Sequence, residues 1–188
     1  MLRGAPGPPS NRLLPRLQRS DKVIYSMKIT EALVAEHTIF LSVFDQIERV
    51  LPRLATPAEV RTMATLIEGL LEDHAETETN LAYLALDHVL AHNGELKRMH
   101  QDHHEIDDRF RNVHSAKTSA AARRLLKAAI KASREHFQSE ERSVFPFLEK
   151  SLQPDTLNTL GNTWLRRQKT PAGRGKLAPT VRRRRSSR

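Results

Sequence analysis

The 188-residue chain is long enough for one domain with a sizeable core, and its lack of cysteine excludes disulfides, thiolate zinc sites and cysteine nucleophiles. Its net charge of +9 is uneven: residues 1–20 hold four Arg and no acid, residues 163–188 hold ten Arg or Lys and no acid, and the middle holds five more acids than bases. No run approaches the roughly 18 to 20 apolar residues of a membrane helix, and residues 1–20 lack a secretory apolar stretch, so the chain reads as soluble and cytoplasmic.

Residues 1–26 read as a disordered leader rich in Arg and Pro, with three prolines between Pro6 and Pro9. A transit peptide and a plain extension upstream of Met27 are the two readings of its composition. Helical patterning begins after Met27. A first helix is predicted from about Thr30 to Leu51, stopped by Pro52, with Leu33, His37, Phe40, Phe44, Ile47 and Leu51 on one apolar stripe. The second opens at Thr56-Pro57-Ala58-Glu59, a capping box with Pro at the first helical position. Its stripe reads Val60, Met63, Ile67, Leu70, His74, Glu78 and Leu81, and it ends between Leu86 and His92.

Asn93-Gly94 punctuates the chain. The third helix runs to about Val113 with Leu96, Met99, His103, Ile106, Phe110 and Val113 facing inward. The fourth runs from Ser119 to about Val144, ahead of Pro146, with Leu126, Ala129, His136, Glu140 and Val144 inward. A short fifth helix is predicted over Asp155 to Arg166, and a disordered basic tail from residue 166. Four long amphipathic helices with short connections predict an all-α, antiparallel up-down four-helix bundle spanning residues 27–165. A faint repeat pairs Glu36-His37 with Asp102-His103, and His74, Glu78 and Tyr83 with His136, Glu140 and Phe145, which suits a pseudo-twofold centre for two ions.

Residues four apart on a helix share a face, so His74 with Glu78 and His136 with Glu140 present nitrogen and oxygen ligands together. One such pair is common by chance. Two pairs in register with apolar stripes, plus a His on each remaining stripe, are not. Each buried polar group left unsatisfied costs about 1–3 kcal/mol. Six of them would consume most of a domain stability of about 5–15 kcal/mol, so a metal is the simplest partner.

A His after an acid on the first helix, His-x-x-x-Glu on the second, a His cluster on the third and His-x-x-x-Glu on the fourth together resemble the hemerythrin-like (HHE) family from about Ile29 to Leu148. Phe145-Pro146-Phe147 adds to the resemblance. The resemblance implies a non-haem di-iron site, two Fe ions bridged by an oxo or hydroxo group and two carboxylates. His37, His74, His100, His103 and His136 would be terminal ligands, and Glu78 and Glu140 would bridge. His104 is the alternate for the third helix, because oxygen-carrying members use His-x-x-x-His there, which would select His100 and His104. Glu141 is the alternate for Glu140. Zinc or manganese are other occupants.

Glu36 and Asp102 are either partners orienting ligating His or solvated acids. His88, His92 and His114 fall near helix ends and read as solvated. Tyr83 and Phe145 read as core. The implied function is binding or sensing of dioxygen, or of nitric oxide or iron. The alternatives are a di-iron oxidoreductase acting on nitric oxide or peroxide, and a metal-free helical module whose Arg182–Arg185 run contacts nucleic acid or an acidic surface non-specifically.

Overall fold

The computed structural model of the protein describes residues 27–87 and 94–169. Their regular structure is entirely helical. Helix α1 spans Ile29–Val50 and closes in a short turn at Leu51–Arg53, where Pro52 cannot extend it. Helix α2 spans Pro57–Thr77, then widens into a π-helical segment, Glu78–Tyr83, before a last turn, α3, at Leu84–Asp87. The capping box that opens α2 is formed: Thr56 Oγ1 accepts from the Glu59 amide, and Glu59 accepts from the Thr56 amide at 2.8 Å.

Helix α4 spans Gly94–Ser115, and α5 spans Ser119–Ser139 with Thr118 as its cap. A second π-helical segment, Glu140–Val144, joins α5 to α6, Phe145–Ser151, and α7 spans Pro154–Lys169. The expected stop before Pro146 does not occur. The preceding π turn relaxes the regular four-residue ladder, so a proline two residues into the resumed helix breaks no bond the helix requires.

The four long helices pack on one another, and α7 packs on α1. Their apolar stripes form two clusters. One contains Phe40, Phe44, Ile67, Phe110 and Ile130; the other contains Ile29, Leu33, Tyr83, Met99 and Phe145. On α1, α2 and α4 the switch from one cluster to the other falls at a histidine, His37, His74 or His103; along α5 and its continuation it falls just after His136, between Phe137 and Val144. A polar layer therefore lies between two dry ones. One stripe residue differs from expectation. Leu70 is exposed and Leu71 packs against the core instead, because the inward face of α2 follows Val60, Ala64, Ile67 and His74.

Polar side chains also tie the second half of the bundle to the first. Arg61 donates to the carbonyl of Ala116, Arg123 donates to that of Leu54, and His114 pairs with Glu68. Helix α7 runs three residues beyond the predicted fifth helix and takes in the first residues expected for the basic tail. The leader, residues 170–188 with the Arg182–Arg185 run, His88 and His92 lie outside the described residues.

Candidate metal centre

Both His-x-x-x-Glu pairs straddle the start of a π segment. His74 and His136 sit in the last turn of regular helix, and Glu78 and Glu140 are the first residues of the widened turns. Single π turns recur at functional sites because they re-aim a side chain by a fraction of a turn. Glu78 and Glu140 are fully buried.

Four imidazoles turn their Nε2 atoms toward these two carboxylates. His37 Nε2 lies 3.0 Å from His74 Nε2, and His103 Nε2 lies 2.8 Å from His136 Nε2. Glu78 spans the two pairs: Oε1 is 3.1 Å from His74 Nε2 and 3.7 Å from His37 Nε2, while Oε2 is 3.3 Å from His103 Nε2. Glu140 Oε2 is 3.4 Å from His37 Nε2 and 3.5 Å from His136 Nε2. Two sets of four residues result, His37-His74-Glu78-Glu140 and Glu78-His103-His136-Glu140, each with its ligand atoms within 4.8 Å of one another. The carboxylates belong to both.

Two of the outer nitrogens are held by acids. His37 Nδ1 donates to Glu141 Oε1 at 2.8 Å, and His74 Nδ1 donates to Glu36 Oε2 at 2.9 Å. An ionised carboxylate only accepts, so each Nδ1 carries the hydrogen, and a neutral ring then presents a bare lone pair at Nε2. Two lone pairs facing each other at 3.0 Å repel unless a proton or a cation lies between or beside them. A divalent cation beside them would satisfy both lone pairs.

Residues 28–148 match the hemerythrin HHE cation binding domain. The chain belongs to that family. No curated protein and no solved structure matches the chain.

The electrostatics of the polar layer in this HHE domain fit a cation. Glu78 Oε1, Glu78 Oε2, Glu140 Oε2 and His136 Nδ1 are buried without a hydrogen-bond partner among the described residues. Three of these are carboxylate oxygens aimed at imidazole nitrogens, an acceptor-rich set that a divalent ion would satisfy. Burial alone would discharge the imidazoles. Against it, the carboxylates of Glu140 and Glu78 raise His37 to about 9, and those of Glu78 and Glu36 raise His74 to about 10. His103 also moves up, since Glu78 outweighs its burial. His136 falls to about 3, because burial and the charge of His103 exceed the pull of Glu78. Of the carboxylates, Glu78 is driven well down by the His groups despite burial, and Glu140 is raised to about 7 by burial and by the charge of Glu78.

The expected residues thus separate by place. His37, His74, Glu78, His103, His136 and Glu140 come together in this HHE domain. His100 does not join either set; its ring stands edge-on to Tyr83 at 5.4 Å. His104 is exposed. Glu141, the alternate bridge, lies outside the layer and orients His37. Glu36 holds His74 rather than the adjacent His37, and Asp102 faces His136 Nδ1 at 3.8 Å, too far for a direct hydrogen bond.

Two participants escape a reading by sequence pattern. Tyr83 is buried in an apolar cluster like a core aromatic, yet its hydroxyl donates to Glu140 Oε1. Trp164, beyond the family match, donates its indole N–H to Glu36 Oε1 at 3.1 Å. A cavity of about 360 Å³, lined by Ala75, Glu76, His103, Asp107 and His136 among others, opens the layer to the surface between α2 and α4.

Proposed function

We propose that this chain is a di-iron protein that binds or senses dioxygen or nitric oxide, or handles iron. Its long helices form an antiparallel four-helix bundle over residues 27–165, with a basic tail from residue 166. The observation that carries this reading is the pair of four-residue sets sharing both carboxylates. His37 and His74 would hold one ion and His103 and His136 the other, with Glu78 and Glu140 the carboxylates available to both. Support for the bundle comes from the order of the two apolar clusters, which reverses from one long helix to the next.

Bound iron would supply a redox-active centre with open coordination positions for a small ligand. The chain's own residues do the rest. Glu141 and Glu36 fix the ring planes of His37 and His74, so that both Nε2 lone pairs point inward. Phe137 stacks on His37 at 4.0 Å and closes that side to water. The cavity beside His103 and His136 admits a diatomic molecule and supports an oxidoreductase acting on nitric oxide or peroxide as the second reading. Deprotonating a group of pKa about 9 at pH 7 costs about 3 kcal/mol, well below the roughly 10–16 kcal/mol that tight structural metal sites release.

The test is metal content together with the visible spectrum, on protein loaded with iron(II) anaerobically and then exposed to air. Two irons per chain, lost in His74→Ala, and a spectrum that reverses when oxygen is removed are expected of a carrier or sensor. Turnover of nitric oxide or peroxide with an added reductant selects the oxidoreductase. A folded chain that takes up neither iron nor zinc sinks both.

A further inference from the structure

Helix α7 lies wholly beyond the span that the family match covers, yet it touches the metal layer. Leu157 is buried in the apolar cluster that holds Ile29 and Leu33 of α1, and Leu160 and Trp164 pack against it. The approach is so close that a Cβ on Gly161 would lie 1.8 Å from the carbonyl oxygen of Met27, so only glycine fits at this crossing. That contact delivers the Trp164 indole to Glu36. The two oxygens of one carboxylate then serve two donors: Oε1 accepts from Trp164 Nε1 at 3.1 Å, and Oε2 accepts from His74 Nδ1 at 2.9 Å. Gln168, one turn on, also reaches Oε1, at 3.4 Å.

We infer that Trp164 is a positioning residue for the metal centre, acting through Glu36 on His74, and that the docking of α7 sets how tightly this ligand is held. The inference rests on His74 being a ligand. A glutamate side chain has three rotatable bonds, and one hydrogen bond to His74 leaves its carboxylate plane free to swing. The indole, anchored by its packing, fixes that plane and so fixes the tautomer and direction of the imidazole. Partners of this kind typically change metal affinity by about 10–100-fold.

The experiment uses the full chain and zinc(II) alone, titrated against a chelator of known affinity, in wild type, Trp164→Phe, Glu36→Gln and the double variant. Phenylalanine keeps the ring packing and removes the donor. Glutamine offers one acceptor where two are required. Trp164→Phe should weaken zinc binding about tenfold while leaving the unfolding midpoint of the metal-free protein nearly unchanged. In the Glu36→Gln background the same substitution should add nothing, as expected for groups acting in series. Gly161→Ala, which drives α7 away without altering either hydrogen-bonding group, should reproduce the loss and red-shift the emission of Trp164, the chain's one tryptophan. Unchanged affinity in Trp164→Phe, or a loss that simply adds to that of Glu36→Gln, overturns the inference and leaves the metal reading intact. A wild-type chain that binds no zinc and no iron overturns both.

Discussion

The hydroxyl of Tyr83 donates to Oε1 of Glu140, and this bond makes the two carboxylates of the polar layer unequal. Phe145 occupies the matching place in the other half and has no hydroxyl to offer Glu78, both of whose oxygens stand without a hydrogen-bond partner among the described residues. Burial, followed by the charges of Glu78 and Glu140, pushes the Tyr83 phenol far above its ordinary range, so it stays a donor at any working pH.

Tyr83→Phe should therefore act differently on the two forms of the protein. In the metal-free form it strands another buried carboxylate oxygen, at a cost of about 1–3 kcal/mol. In the loaded form the freed oxygen can turn to the ion and recover part of that loss. Denaturant unfolding with and without zinc measures both. Equal destabilisation in the two forms would show that Glu140 Oε1 has no access to metal.

Stability should respond to pH in opposite ways with and without metal. His37 and His74, raised from 6.5 to about 9 and about 10, contribute stability that is fully present below 6.5 and is lost as pH climbs through those values. Glu140, raised to about 7, works in the same sense from 4.5 upward. His136 has the opposite sign: its contribution is present above 6.5 and is lost as pH falls toward about 3. Metal requires neutral imidazoles and ionised carboxylates. The midpoint of the metal-free protein should thus fall between pH 6.5 and about 10, while the increment from zinc grows over the same range as His37 and His74 give up their protons. An increment that ignores pH would mean that other residues hold the ion.

Residues that hold metal and residues that orient the holders should separate by magnitude. Glu78→Gln removes a charge that faces both imidazole pairs, and it should abolish occupancy of at least one position. Glu141→Gln leaves an amide oxygen for His37 Nδ1 and should weaken binding by no more than about 10–100-fold. Metal stoichiometry and competition titrations tell the two apart; equal effects would contradict the assignment of Glu141 to an outer role.

The third helix offers the sharpest choice. His103→Ala should lose metal, because its Nε2 faces Glu78 and His136. His104→Ala should leave stoichiometry and spectrum unchanged, because that side chain is exposed. The reverse result would move the site by one residue around α4.

Much of this layer was legible in the sequence because its residues obey the helical period. His37, His74, His103 and His136 each continue an apolar stripe, and the two glutamates fall four residues beyond a histidine. Period alone could not foresee the π turns, since both an α and a π continuation keep Glu78 and Glu140 inward and differ only in where the later residues of each helix point. The third-helix choice of His100 failed to reach the layer for a related reason: three residues before His103 places it beside Tyr83, nearer the apolar cluster. Trp164 lies 128 residues from Glu36, and no local pattern encodes a contact across that separation.

The seating of Gly161 against Met27 also fixes where α7 ends relative to the start of α1. The described chain begins at Met27, and α7 ends eight residues beyond Gly161, about 12 Å along its axis. The two ends of the described chain are thus neighbours on the flank of α1 where α7 docks.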